Sequence, residues 1–208
     1  MLYKVILYFL FSTFNIYWSC GSNSLIQRNF VLEYNYSVEN DNNFPSGCIL
    51  FPYIVRVDRF NISKAYNQDR IALRTKSNEI VYYYYNNWAE NPSSAIRYFV
   101  WEKIKEYNVF KATELNDIEL SPQFVIGGTI SQIERVAYDN KHAAHIKMIL
   151  EFTDYNSGKT IVLHQFDRSS DMDENASMNL FASEISRILN EECNSFIKKI
   201  CSQLNETR

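Results

Sequence analysis

The sequence predicts an α/β fold: one domain in which a mixed or antiparallel sheet is packed by two main helices, a layered sandwich. Three observations carry that expectation. Apolar residues alternate in strand fashion over residues 49–60, 70–75, 79–85 and 123–168. In two other segments, opening at Pro92 and near Glu174, they recur at three- and four-residue steps instead. The order is strands, helix, strands, helix, which suits helices laid on a sheet. A length of 208 residues fits one domain, for which roughly 100–200 residues are usual.

Residues 30–36, FVLEYNY, form the first strand candidate. Residues 37–47 hold Asp41-Asn42-Asn43 and Pro45-Ser46-Gly47 and read as a loop. Ile54, Val55 and Val57 mark a strong strand over residues 49–60. Strands over 70–75 and 79–85 follow, joined by a Lys76-Ser77-Asn78 turn. The second carries four consecutive tyrosines; alternation sends Ile80, Tyr82 and Tyr84 to one face and Val81, Tyr83 and Tyr85 to the other. Large amphipathic rings on both faces predict a strand packed on both sides.

Asn91 and Pro92 read as the cap and first residue of a helix. Its stripe of Ile96, Phe99, Val100, Ile104 and Tyr107 is expected to end near Asn108, before a short strand or extended link at 109–111. Beyond Ser121-Pro122 the pattern predicts three antiparallel strands, at 123–138, 143–155 and 160–168, with turns at Asp139-Asn140-Lys141 and Asn156-Ser157-Gly158. Gly127-Gly128 inside the first of them suggests a bulge or a close backbone approach. A long amphipathic helix over 174–204 buries Phe181, Ile185, Ile188, Phe196, Ile200 and Leu204.

Composition narrows the function classes. Hydrophobic residues at 46% and aromatics at 15% are ample for a packed core. A net charge of −3 without a basic stripe argues against nucleic acid as a partner. Asp171, Asp173 and Asn175 mimic the start of a calcium loop, but Ala176 and Ala182 stand where that loop needs Gly and Glu. His142 and His145 would point to opposite strand faces, with no neighbouring acid or cysteine to complete a site. There is no nucleophile elbow and no phosphate loop, so no catalytic residue, metal or cofactor is expected. Cys48, Cys193 and Cys201 have neither zinc nor redox spacing and read as small buried residues outside any disulfide framework.

The N-terminus reads as a secretory signal: Lys4, then apolar residues 5–11, too short to span a membrane, which takes about 20 apolar residues. Ser19-Cys20-Gly21 resembles a bacterial lipobox, with Tyr17 and Trp18 bulkier than usual upstream. The resemblance implies a signal peptide over 1–19, diacylglyceryl attachment at Cys20, a lipidated tether over 20–29 and a folded domain over 30–204.

Residues 70–92, RIALRTKSNEIVYYYYNNWAENP, add a second resemblance. They are similar to the signature of the auxiliary lipoproteins of ABC-type lipid transport systems, the PqiC-like family. There an Arg-Ile/Leu-x-Tyr/Leu-Arg strand precedes a tyrosine-rich strand and an Arg-Trp-Ala-x-x-Pro turn. Arg70, Ile71, Leu73 and Arg74 match the first part, Trp88, Ala89 and Pro92 the last, while Asn87 replaces the family's Arg. The resemblance implies a non-catalytic, membrane-anchored accessory subunit of an envelope lipid-transport system. Its implied partners are an MCE-type substrate-binding protein and the ABC permease and ATPase, and its implied state is a homo-oligomer. Arg70, Tyr84, Trp88 and Pro92 become the candidate interface residues. Gly21, in place of the Asp that retains some lipoproteins at the inner membrane, points to the periplasmic side of the outer membrane. A different class, a periplasmic module holding a small apolar ligand between sheet and helix, calls for a large apolar pocket behind residues 82–85.

Overall fold

A computed structural model of the chain describes residues 26–33, 48–115 and 121–206. Cys20 and the predicted signal peptide lie outside them. The described residues form one domain with a nine-stranded mixed sheet and two helices, the α/β class expected. The strands are β1 (Arg28–Phe30), β2 (Phe51–Val57), β3 (Asn61–Ile62), β4 (Arg70–Lys76), β5 (Glu79–Trp88), β6 (Phe110–Glu114), β7 (Phe124–Tyr138), β8 (Lys141–Asp154) and β9 (Thr160–Asp171). The helices are α1 (Pro92–Tyr107) and α2 (Met178–Glu206).

β7 is the spine. Its 15 residues extend about 50 Å at ~3.3 Å per residue, enough to serve several neighbours. Along one edge it pairs antiparallel with β8 over almost its full length, and β8 pairs with β9. Along the other it takes three parallel partners in turn: β2 at Phe124–Ile126, β3 at Thr129–Ile130 and β4 at Glu134–Val136. β5 hangs antiparallel on β4, β1 lies parallel on β5, and β6 lies parallel on β2. Asp139 and Asn140 both take positive φ in the β7–β8 turn, a conformation Asn and Asp tolerate better than other side chains.

Both helices cover one face of the sheet, α2 against β8, β9 and β1, and α1 against β2, β6 and α2. Side chains opposite each other in an antiparallel pair share a face. Ile126, Ile130 and Ile133 of β7, with Phe152, Met148 and Ile146 opposite them, therefore form one continuous core under Phe181, Ile185 and Phe196 of α2. α1 starts as read: the Asn91 side chain accepts from the Ser93 N–H at 3.0 Å, and Asn108 ends the helix in the left-handed conformation. α2 starts later than expected, because the Ser177 hydroxyl accepts from the Leu180 N–H and fixes its first turn.

Several expectations need correction. The strand expected at 30–36 is β1, ending at Phe30; the Glu33 N–H then donates to the Ser186 hydroxyl, drawing the chain onto α2. Residues 34–36 fall outside the described residues. The strand expected at 49–60 is shorter, β2 ending at Val57; β3 follows only after Phe60, whose ring turns in over Gly128. Cys48 and Cys201 form a disulfide, with Cα atoms 5.1 Å apart and a sequence separation of 153. Sequence spacing excluded a bond between the two cysteines of α2 but says nothing about one across the fold. The tyrosine strand is packed on both sides only in part: Tyr82 and Tyr83, on opposite faces, lie against the core, while Val81, Tyr84 and Tyr85 are exposed.

Candidate functional site

Three of the four candidate interface residues, Arg70, Tyr84 and Trp88, gather at one corner of the sheet. Arg70 opens β4, its guanidinium 6.0 Å above the Tyr82 ring, and its backbone is registered against Asn87. Between that pairing and Ala72↔Tyr82 the two strands fall out of register, so Tyr83, Tyr84, Tyr85 and Asn86 arch away from β4. Tyr82 remains under the loop after β3, donating to the Ala65 carbonyl at 3.0 Å. On the opposite face Tyr83 is half-buried; burial raises its pKa, with Arg135 working against the shift. Tyr84 is 74% exposed and meets Tyr85 edge-on, ring centroids 4.8 Å apart.

Trp88 turns the other way. It is 4% exposed, packs 5.7 Å from the Phe181 ring and donates its backbone N–H to the Asp69 carbonyl at 2.6 Å. An open groove of about 560 Å³ separates these anchors, lined by Gln27, Asn29, Asp69, Arg70, Tyr84 and Asn87 among others. Arg70, Tyr84 and Trp88 are thus brought together. Pro92 is not: it is buried as the first residue of α1, and its role is to start that helix.

The structure also assembles two polar clusters that the sequence did not announce. On the face away from the helices, Glu134 of β7 is 1% exposed and accepts from Arg74 through both oxygens, at 2.6 and 2.9 Å. Tyr66 donates to it at 2.5 Å and His145 lies 3.3 Å away. The other ring nitrogen of His145 faces Asp167 at 2.8 Å, so both nitrogens point at carboxylates and the arrangement suits an imidazolium. The expectation that no acid neighbours His145 is therefore corrected; pairing across β7 and β9 supplies two. Burial alone would lower the pKa of His145, but hydrogen bonds to Glu134 and Asp167 outweigh it and hold the group above its ordinary value. Burial would likewise raise Glu134, yet bonds from His145, Arg74 and Tyr66 keep it below the usual glutamate range.

Beneath α2, His164 lies 2.8 Å from Glu192, and its other nitrogen accepts from Lys199 at 2.9 Å. Arg168 completes the set by donating to Glu192 at 2.7 Å. Neither histidine has a hydroxyl or thiol nucleophile within hydrogen-bond reach in these contacts. Cys193 is buried, and burial pushes its thiol up to about 12. No group of His, Cys, Asp and Glu able to hold a metal ion occurs among the described residues. Nor is any helix among them long and apolar enough to cross a membrane.

No protein-family model matches the sequence, and no curated protein does. Solved structures share its fold, two of them with TM-scores above 0.6. A Xanthomonas campestris protein assigned to DUF330 aligns at 12% identity with a TM-score of 0.66, over 79% of this chain and 93% of that one. An uncharacterized protein aligns at 10% identity with a TM-score of 0.61, over 84% of this chain and 99% of its own. At these identities the likeness is one of fold.

Proposed function

We propose that the chain is a non-catalytic accessory lipoprotein of an ABC/MCE-type lipid transport system in the bacterial envelope. It is anchored through Cys20 on the periplasmic side of the outer membrane and works as a homo-oligomer alongside the MCE-type, permease and ATPase subunits. The observation that carries the location is the Cys48–Cys201 disulfide, since such bonds persist in oxidising compartments and are rare in the cytosol. It agrees with the secretory signal read at residues 1–19. The transport role rests on the residue 70–92 signature, of which Arg70, Trp88 and Ala89 line the groove at one corner of the sheet. A non-catalytic reading suits the two histidine clusters, whose ring nitrogens are all engaged by charged side chains.

The module that holds an apolar ligand fits less well. Phe152, Phe181, Ile185 and Phe196 fill the space between sheet and helices, and the groove beside Tyr84 presents amides, a carboxylate and a guanidinium. An acyl chain gains nothing from such a lining.

The test has two arms. Cys20→Ala is expected to move the protein from the membrane fraction to the soluble one; unchanged sedimentation with membranes would remove the lipid anchor. Affinity capture of the lipidated chain from its own envelope is expected to recover an MCE-type chain. Recovery of the chain alone, carrying bound lipid, would favour the ligand-holding module.

A further inference from the structure

The place where the tether joins the fold is also where Tyr84, the most exposed aromatic side chain among the described residues, stands in solvent. β1 runs parallel to β5 with Arg28 against Asn86 and Asn29 against Asn87. Carrying that register back two residues sets Ile26 level with Tyr84 and Gln27 level with Tyr85. Ile26 is 78% exposed and Tyr85 38%, beside the still more exposed Tyr84, and Gln27, Arg70, Tyr84 and Tyr85 line one shallow depression. None of these three hydrophobic side chains is needed to fill the core.

We propose that this corner, Ile26, Tyr84 and Tyr85 flanked by Arg28 and Arg70, rests on the lipid headgroups of the membrane to which the chain is anchored. The inference depends on the Cys20 anchor proposed above and adds which face the bilayer meets. Tether length carries it. Residues 21–25 alone separate Cys20 from Ile26. At no more than ~3.6 Å per residue, that chain reaches about 20 Å. The membrane surface therefore lies within that distance of Ile26, which brings the corner beside Tyr84 within reach of it.

The chemistry of the corner matches an interface and not an acyl core. Tyrosine has an apolar body and a polar tip, and it concentrates at headgroup depth in membrane proteins. Arg28 and Arg70 are both exposed at the same corner and can reach lipid phosphates, while Asp69 is the acidic residue of the adjoining groove. The bulge in β5 has a purpose in this light, since it swings Tyr84 and Tyr85 off β4 and toward the tether.

Two reporters test it in the lipidated full-length chain, added to preformed vesicles of phosphatidylethanolamine and phosphatidylglycerol. Tyr84→Cys places a thiol at the corner, and Leu163→Cys places one on β9, 56% exposed at the far edge of the sheet. The native cysteines are bridged, lipidated or buried. A water-soluble maleimide should label Tyr84→Cys several-fold more slowly on vesicles than in the Cys20→Ala chain free in buffer, with Leu163→Cys unchanged. Equal labelling of Tyr84→Cys in both settings, while the lipidated chain floats with the vesicles, overturns the inference and leaves the anchor standing. Protection that persists in the unanchored chain also overturns it, because a second copy is then the cover. Failure of the lipidated preparation to float overturns the anchor and the inference together.

Discussion

Glu134 is a carboxylate on the central strand, almost wholly removed from water, and what makes that tolerable is the ring of donors around it. Arg74 binds both its oxygens, Tyr66 takes one lone pair and His145 another. Removing it by Glu134→Ala would leave the Arg74 guanidinium without its carboxylate and His145 with Asp167 alone, at an expected cost of about 3–5 kcal/mol in denaturant unfolding. The pair also sets a pH profile. Glu134, held low, contributes stability above its unfolded value of 4.5 that is lost as pH falls through its folded value. His145, held high, contributes stability that is complete below 6.5 and fades as pH rises through its elevated folded value. Unfolding measured from pH 5 to 9 should therefore show an alkaline decline, and His145→Gln should abolish it. An identical decline in that variant would place the effect elsewhere. Sequence gave one hint of this cluster: a glutamate and an arginine in mid-strand at positions 134 and 135, where alternation calls for one apolar residue. Its partners come from positions 66, 74, 145 and 167, and only the pairing of β7 with β3, β4 and β8, and of β8 with β9, brings them together.

Among the elements, β7 shows what periodicity reveals and conceals. Its existence, the turn that ends it and its glycine pair were legible, because alternation and turn chemistry are local properties. The irregularity between Ile130 and Gln132 was not, although the three-residue step from Ile130 to Ile133 is its trace. It resets the faces so that all three isoleucines stay under α2 while Glu134 turns to the other side. The two glycines separate cleanly. A Cβ on Gly128 would sit 2.9 Å from a Phe60 ring carbon and 3.1 Å from the Met148 methyl, whereas one on Gly127 meets nothing within 4 Å. Gly128→Ala should then cost about 1–3 kcal/mol in thermal or denaturant melts, with Gly127→Ala close to wild type. Equal effects would mean that Phe60 yields freely. Helix α1 was readable to its cap, because Asn91 and Pro92 act within their own turn; which strands it covers was not, because β2 and β6 meet it only in the assembled sheet.

At the scale of the molecule, the strands N-terminal to α1 all dock, directly or through a neighbour, on strands formed later in sequence. Such long-range parallel pairing leaves little local signal, which is why the class of the fold could be read but not its strand order. The disulfide has the same origin. Cys48 precedes β2 and Cys201 lies in the last turns of α2, so their meeting requires the finished sheet. Reducing the bond, or replacing both residues in Cys48→Ser/Cys201→Ser, is expected to lower stability by about 2–4 kcal/mol, read as a fall in Tm. A melt unaffected by reductant would indicate that the packing of α2 suffices without it.

That bond acts as a latch whose timing depends on place. A chain threaded across a membrane must travel extended, and a fold that locked beforehand would obstruct its own passage. Because this latch needs an oxidant, it cannot close in the reducing cytosol, however complete the sheet becomes there. On the export proposed above, the compartment itself would decide when folding becomes hard to reverse: loose where the chain must still move, fastened where it must stay.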